Sequence, residues 1–286
     1  SGSSTAQNPS ITINMGTLAF VGSGGFTNKP GISLSDPNQN GHPALSMPTL
    51  DISQSTSGLV IGSLNTDNSH NPNHSAVILG ANNLTISPST LVTNVMNFNT
   101  NVQSPGFTSF GGVISGTGSV SFVNSMPNYP GEFGMAFNAA QTYTGTTTIG
   151  SGVTILLQNN GSLAASSNVV VNGNLEIGAV NGSGVSLSTL SGSGTVNTNQ
   201  LARSGTVWGT TPYSFPAGSA EALQITNGST TFSGNIAGSG SLNVSGGTQT
   251  LTGTNTYTGT TTIANGATLQ LGSGGTAGSL ATASNI

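Results

Sequence analysis

The chain has 286 residues, of which 2 are Lys or Arg and 6 are Asp or Glu, for a formal net charge of −4 at pH 7. Charged residues make up 3% of the sequence, against roughly 25% in an ordinary soluble domain. Two cations cannot neutralise a run of phosphates, and with Cys 0 there is no disulfide framework, thiolate metal site or thiol chemistry, so those classes are excluded.

No apolar run reaches the ~18–20 residues of a membrane helix, and the segment is not expected to insert in a membrane. Gly, Ser, Thr and Asn supply more than half of the chain. Such low complexity invites a disordered reading, but disorder couples low hydrophobicity with high net charge. Here 34% of residues are hydrophobic and the chain is nearly uncharged. In chain order, Ile11-Thr-Ile13, Leu18-Ala-Phe20, Leu84-Thr-Ile86, Val120-Ser-Phe122, Leu175-Glu-Ile177 and Leu269-Gln-Leu271 all alternate at period two. Thr, Val and Ile suit a pleated surface. No stretch of helical length keeps a 3.6-residue period with caps. The expected class is all-β.

Internal repeats set the expected architecture. The octet TYTGTTTI stands unchanged at Thr142–Ile149 and Thr256–Ile263. A short strand follows each copy, at 153–157 and 267–271, and then GSLAASSNV (161–169) is matched by GSLATASNI (278–286). A second pattern, apolar-x-Gly-[ST]-Gly-[ST]-apolar, occurs at Ile114–Val120, Leu190–Val196 and Ile236–Leu242. Glycines at fixed places between short strands mean turns with positive φ or close backbone approach. Blocks that recur in this way favour a solenoid, a parallel β-helix, over an antiparallel sandwich with its even 8–12-residue hairpin spacing. With roughly 20–25 residues per coil there is room for about a dozen coils, a rod ~60 Å long. The expected organisation is one solenoid over 1–286. Coils over 1–109 are divergent, with loops at 24–47 and 65–75. Recognisable repeats fill 110–286, with loops at 125–141 and 203–221.

The stretch NTYTGTTTIANGATLQLG, Asn255–Gly272, resembles the autotransporter-associated β-strand repeat of bacterial passenger domains. Gln141–Leu157 follows the same pattern, with Gly-Ser-Gly-Val in place of Ala-Asn-Gly-Ala, and Gly234–Gly253 is similar to the upstream half of that repeat. The resemblance covers most of 110–286 and thins over 1–100 to fragments such as Ala76–Ile86. It implies a secreted, right-handed parallel β-helix at or beyond the cell surface, so an extracellular location is expected.

Chemistry is sparse. The acids Asp36, Asp51, Asp67, Glu132, Glu176 and Glu221 are scattered, whereas proton transfer on a polysaccharide needs carboxylates in a cluster or beside a base. Glu176, between Leu175 and Ile177, is expected to point outward from its strand. No enzyme activity and no cofactor are expected. Asp67, His70 and His74 stand in a turn-rich loop rather than on a helix that would aim both rings at a metal. Asp36-Pro-Asn38-Gln-Asn40-Gly41 matches the opening of a calcium loop, but Met47 stands where its bidentate Glu belongs, and Asx turns account for the same residues. The loops carry Tyr129, Phe133, Trp208, Tyr213 and Phe215, candidate contacts for a cell-surface glycan or another cell. Aromatics covering the coil edges are the competing explanation.

The second repeat block stops at Ile286 where the first continues as VVNGNLEIG (170–178), and Ser10–Gly22 has the pattern of that missing half. Head-to-tail pairing between copies of the chain is therefore expected, through Ile11, Ile13, Leu18, Phe20, Leu280 and Ile286. A piece cut from a longer passenger accounts for the same ends. The expected function is a non-enzymatic extracellular rod that forms or extends a surface fibre, and the alternative is an adhesin passenger that binds through its aromatic loops.

Overall fold

The structure is a computed structural model that describes residues 9–35, 47–66, 75–88, 107–125, 133–182, 184–199, 203–207, 211–215 and 219–282. Among these residues there is no helix, and every regular element is a strand. The first eight are β1 (Ser10–Ile13), β2 (Thr17–Gly22), β3 (Gly31–Leu34), β4 (Thr49–Ser55), β5 (Leu59–Ile61), β6 (Ser63–Thr66), β7 (Ala76–Ile78) and β8 (Leu84–Ile86). Next come β9 (Phe107–Phe110), β10 (Val113–Ser115), β11 (Val120–Phe122), β12 (Phe133–Phe137), β13 (Thr147–Ile149), β14 (Val153–Asn159) and β15 (Val169–Val171). They are followed by β16 (Asn174–Val180), β17 (Gly184–Leu187), β18 (Leu190–Ser191), β19 (Thr195–Asn197), β20 (Arg203–Val207), β21 (Thr211–Phe215) and β22 (Ala222–Ile225). The last six are β23 (Thr230–Phe232), β24 (Asn235–Ala237), β25 (Leu242–Val244), β26 (Thr248–Leu251), β27 (Thr261–Ile263) and β28 (Thr268–Leu271).

Six sheets are parallel throughout. Sheet I runs β1-β3-β6, sheet II β2-β4-β7-β10, and sheet III β5-β8-β11-β13-β15-β18. Sheet IV runs β9-β12-β14-β16-β19-β24, sheet V β17-β22-β25-β27, and sheet VI β23-β26-β28. The chain visits the sheets in rotation and returns to each one displaced by a strand. Thr154 of β14 pairs with Asn174 of β16, twenty residues on, and Asn174 pairs with Thr195 of β19. Sheet I abuts sheet IV through β6 and β9, and a bridge from Gly192 to Phe232 carries sheet III on to sheet VI.

Alternation decides what is buried. In sheet III the stacked inward positions are Leu59, Leu84, Val120, Thr147, Val169 and Leu190, with Ile61, Ile86, Phe122, Ile149 and Val171 forming the second row. All eleven are buried. Each apolar member is worth roughly 1.5–3 kcal/mol of transfer free energy. The outward row of Val60, Thr85, Ser121, Thr148, Val170 and Ser191 is exposed or half-buried.

The three copies of the Gly-[ST]-Gly pattern join three different pairs of sheets. Ile114–Val120 leads from β10 in sheet II to β11 in sheet III. Leu190–Val196 leads from sheet III to sheet IV, and Ile236–Leu242 from sheet IV to sheet V. In each copy the first glycine has positive φ: +122 at Gly116, +107 at Gly192 and +107 at Gly238. The second glycine lies against backbone, so a methyl group on Gly118, Gly194 or Gly240 would fall on the carbonyl of Asn82, Gly173 or Glu221. The pattern encodes a corner, and three different corners accept it.

Three expected loops prove to contain strands. Within 24–47, β3 pairs with both β1 and β6. Within 125–141, β12 is buried along its whole length and pairs with β9 and β14. Its inward Phe133, Met135 and Phe137 do alternate, but Gly134 and Ala136 on the other side are apolar too, which hides the period. Within 203–221, β20 and β21 form an antiparallel hairpin. Around that hairpin the return lengthens to forty residues, as between Leu190 and Thr230.

Candidate association edges and buried polar anchors

The strands at either end of the stack pair on one side only. Among the described residues β1 pairs with β3, β2 with β4, β27 with β25 and β28 with β26, and no strand lies on their other edges. Burial falls away there. Leu271 is 44% exposed while Leu251, its partner in β26, is fully buried. Ile263 is 41% exposed, against 0% for Val244 beside it in β25. At the opposite end Val21 is 74% exposed, and Ile11, Leu18 and Phe20 pack against the core only in part. Phe20 meets Phe26 edge-on at 5.0 Å. None of the four strands contains a charged residue or a proline, the usual blocks to pairing at an edge. β2 does carry a register slip between Ala19 and Val21.

The expected self-association residues thus fall at two separate ends of the stack. Ile13 is buried at the first end, and Leu280 packs partly against the core at the second. Ile286 lies outside the described residues, as do Asp36, Asn38, Asn40, Asp67, His70, His74, Tyr129 and Trp208. Phe133, expected on a ligand loop, is a core residue with no exposed surface, because its strand is threaded between β9 and β14. Tyr213 and Phe215 lie on β21 of the hairpin. Glu176 does face the outer side of sheet IV, opposite in phase to Leu175 and Ile177, yet it is only 1% exposed. Its ladder neighbours Leu156 and Asn197 are buried as well. A parallel sheet covered on both faces reads as a run of buried positions.

Polar side chains, several of them buried, bond within and between successive passes of the chain. Gln141 accepts the backbone N–H of Ile114 through Oε1 at 2.8 Å, and its Nε2 donates to the carbonyls of Gly112 and Ala139. Asn255 stands at the equivalent place before the second octet, accepting from Ile236 N–H at 3.0 Å and donating to Gly253 and Ser279. In both octets the tyrosine hydroxyl lies 2.6 Å from a threonine hydroxyl, Tyr143 with Thr147 and Tyr257 with Thr261. Burial drives the Tyr143 phenol well above its ordinary pKa, and the bond to Thr147 draws it part of the way back. At the surface, Asn172 and Asn199 accept the N–H and hydroxyl of Ser193 and Ser239, the middle residues of two corners. Lys29 donates to buried Ser87 at 3.2 Å, and Ser87 donates to Ser125. Sequence reasoning missed these anchors because a Gln or Asn before Thr-Tyr-Thr-Gly has no period to betray it.

No protein-family model, curated protein or solved structure matches the chain.

Proposed function

We propose that the chain is a non-enzymatic structural rod that works outside the cell, a right-handed parallel β-helix of the autotransporter passenger kind that associates end to end. The observation that carries this reading is that, among the described residues, the outermost strands β1, β2, β27 and β28 each pair on one side only and carry no charge. The rotation among sheets and short returns such as that of twenty residues from Thr154 to Asn174 support closure of the sheets around a common core. Crossovers between parallel strands are right-handed in about 98% of cases, which supports the hand. The repeat octets support the passenger kinship and, with it, the extracellular location.

Because the strands run in one direction through the stack, the edge of β27 and β28 and the edge of β1 and β2 are unlike surfaces. A second copy added end to end keeps that polarity, and a heterologous contact that does not close builds a filament. Main-chain hydrogen bonds would supply the affinity and the exposed apolar row the register. Leu271→Lys and Ile263→Lys test the reading, because each puts a charge on the open edge. Filaments of the native protein seen by electron microscopy should be lost in both variants, with melting unchanged to within about 0.5 kcal/mol. Strictly monomeric native rods overturn the reading. A longer native polypeptide by intact mass, with its own coils over these strands, assigns the edge to that chain instead.

The hairpin favours a second reading, an adhesin that binds glycan. Among the described residues β20 and β21 pair only with each other, and they fall inside the long return of forty residues from Leu190 to Thr230. Loops that leave a rigid scaffold are where binding residues concentrate. Binding on a glycan array that disappears in Trp208→Ala and Tyr213→Ala, with filaments intact, would select it.

A further inference from the structure

Five Asn-Gly pairs lie among the described residues, and the structure divides them into two kinds. In Asn160-Gly161, Asn172-Gly173 and Asn227-Gly228 the glycine is buried. Its N–H is donated to a carbonyl, from Gly161 to Gln158 at 2.7 Å, from Gly173 to Ile149 at 3.1 Å and from Gly228 to Gly246 at 2.8 Å. Backbone from the neighbouring circuit or turn fills the space beside each of these glycines. In Asn181-Gly182 and Asn265-Gly266 both residues are exposed. Among the described residues nothing approaches within 4 Å of the side-chain position of Gly182 or Gly266. Neither N–H donates to an acceptor among the described residues.

That difference decides a chemistry intrinsic to the pair. The nitrogen of the glycine, once deprotonated by solvent base, attacks Cγ of the asparagine. The bond from Cγ to the side-chain nitrogen breaks, ammonia leaves with a proton from solvent, and a succinimide remains. Water then opens the ring at either carbonyl to give aspartate or isoaspartate. A glycine N–H held by a carbonyl and walled in by backbone cannot reach Cγ without local opening. We infer that Asn181 and Asn265 are sites of spontaneous deamidation and that Asn160, Asn172 and Asn227 are protected by the stack. Each event adds one negative charge at neutral pH to a chain whose formal net charge is −4. Asn265 stands between β27 and β28, so one of the new charges arrives at an open edge. The assignment of sites does not depend on what that edge binds.

The test is peptide mapping by mass spectrometry of the native chain held at mildly alkaline pH, in buffer and in concentrated urea. In buffer Asn181 and Asn265 should each gain one mass unit and yield isoaspartate, at least about tenfold faster than the other three, as loss of one net backbone hydrogen bond requires. In urea the five rates should converge. Asn265→Gln, whose longer side chain closes the ring poorly, should lose conversion at that position alone. Equal rates in buffer, faster conversion at Asn160, Asn172 or Asn227, or no conversion at Asn181 and Asn265 would each overturn the inference.

Discussion

Thr108 and Tyr143 show what a single hydroxyl is worth inside this core. Thr108 is 1% exposed, stacks beside Met135, and its Oγ1 finds no hydrogen-bond partner among the described residues. Replacing it with the near-isosteric valine removes an unmatched polar atom, so Thr108→Val should raise stability in urea melts by about 1 kcal/mol. Tyr143 is the opposite case, with its hydroxyl matched by Thr147. Tyr143→Phe should cost about 1 kcal/mol. The pH dependence has a definite sign. Folded, the phenol stays neutral beyond the pH of about 10 at which an unfolded tyrosine ionises. Its contribution is therefore complete below that pH and is lost as the pH climbs above it. Urea midpoints from about pH 8 to about pH 11 should fall for the native chain and fall less for Tyr143→Phe.

The corners carry the strictest demand at the level of the element. Gly240 lies against the carbonyl of Glu221, so Gly240→Ala must displace backbone of the adjacent circuit. A cost of about 3 kcal/mol is expected in equilibrium unfolding. Gly266→Ala meets open space and pays only for its φ of +81, about 1–2 kcal/mol. A larger loss at Gly266 than at Gly240 would contradict the corner geometry. The corner pattern was legible as a turn because Gly-[ST]-Gly recurs between apolar residues. Its place was not, because three copies join three different pairs of sheets. Local backbone sterics define the bend, and the number of residues between bends defines which corner receives it.

The scarcity of charge belongs to the whole molecule. The open edges hold neither like-charge repulsion to weaken pairing nor ion pairs to screen. End-to-end association should accordingly change little with ionic strength when sedimentation is compared at low and high salt. Filaments that dissolve on changing salt alone would point to an electrostatic contact elsewhere. The covered outer side of sheet IV is also a property of this scale. Glu176 alternates as an outward residue should, and only the packing of the molecule makes outward mean buried.

The alternation of apolar residues determined the all-β class, the core rows of the strands and the turns between them, since strand phase is a local property of period two. It failed at β12, where glycine and alanine on the outer side erase the contrast. Which neighbour each strand meets was decided only by the tertiary structure. Ile149 and Ile263 end identical octets, yet Ile149 is fully buried beside Val171 while Ile263 is 41% exposed. The octet specifies a strand that needs a circuit on either side. Burial comes from the neighbouring strand, and the octet itself holds no information about that neighbour.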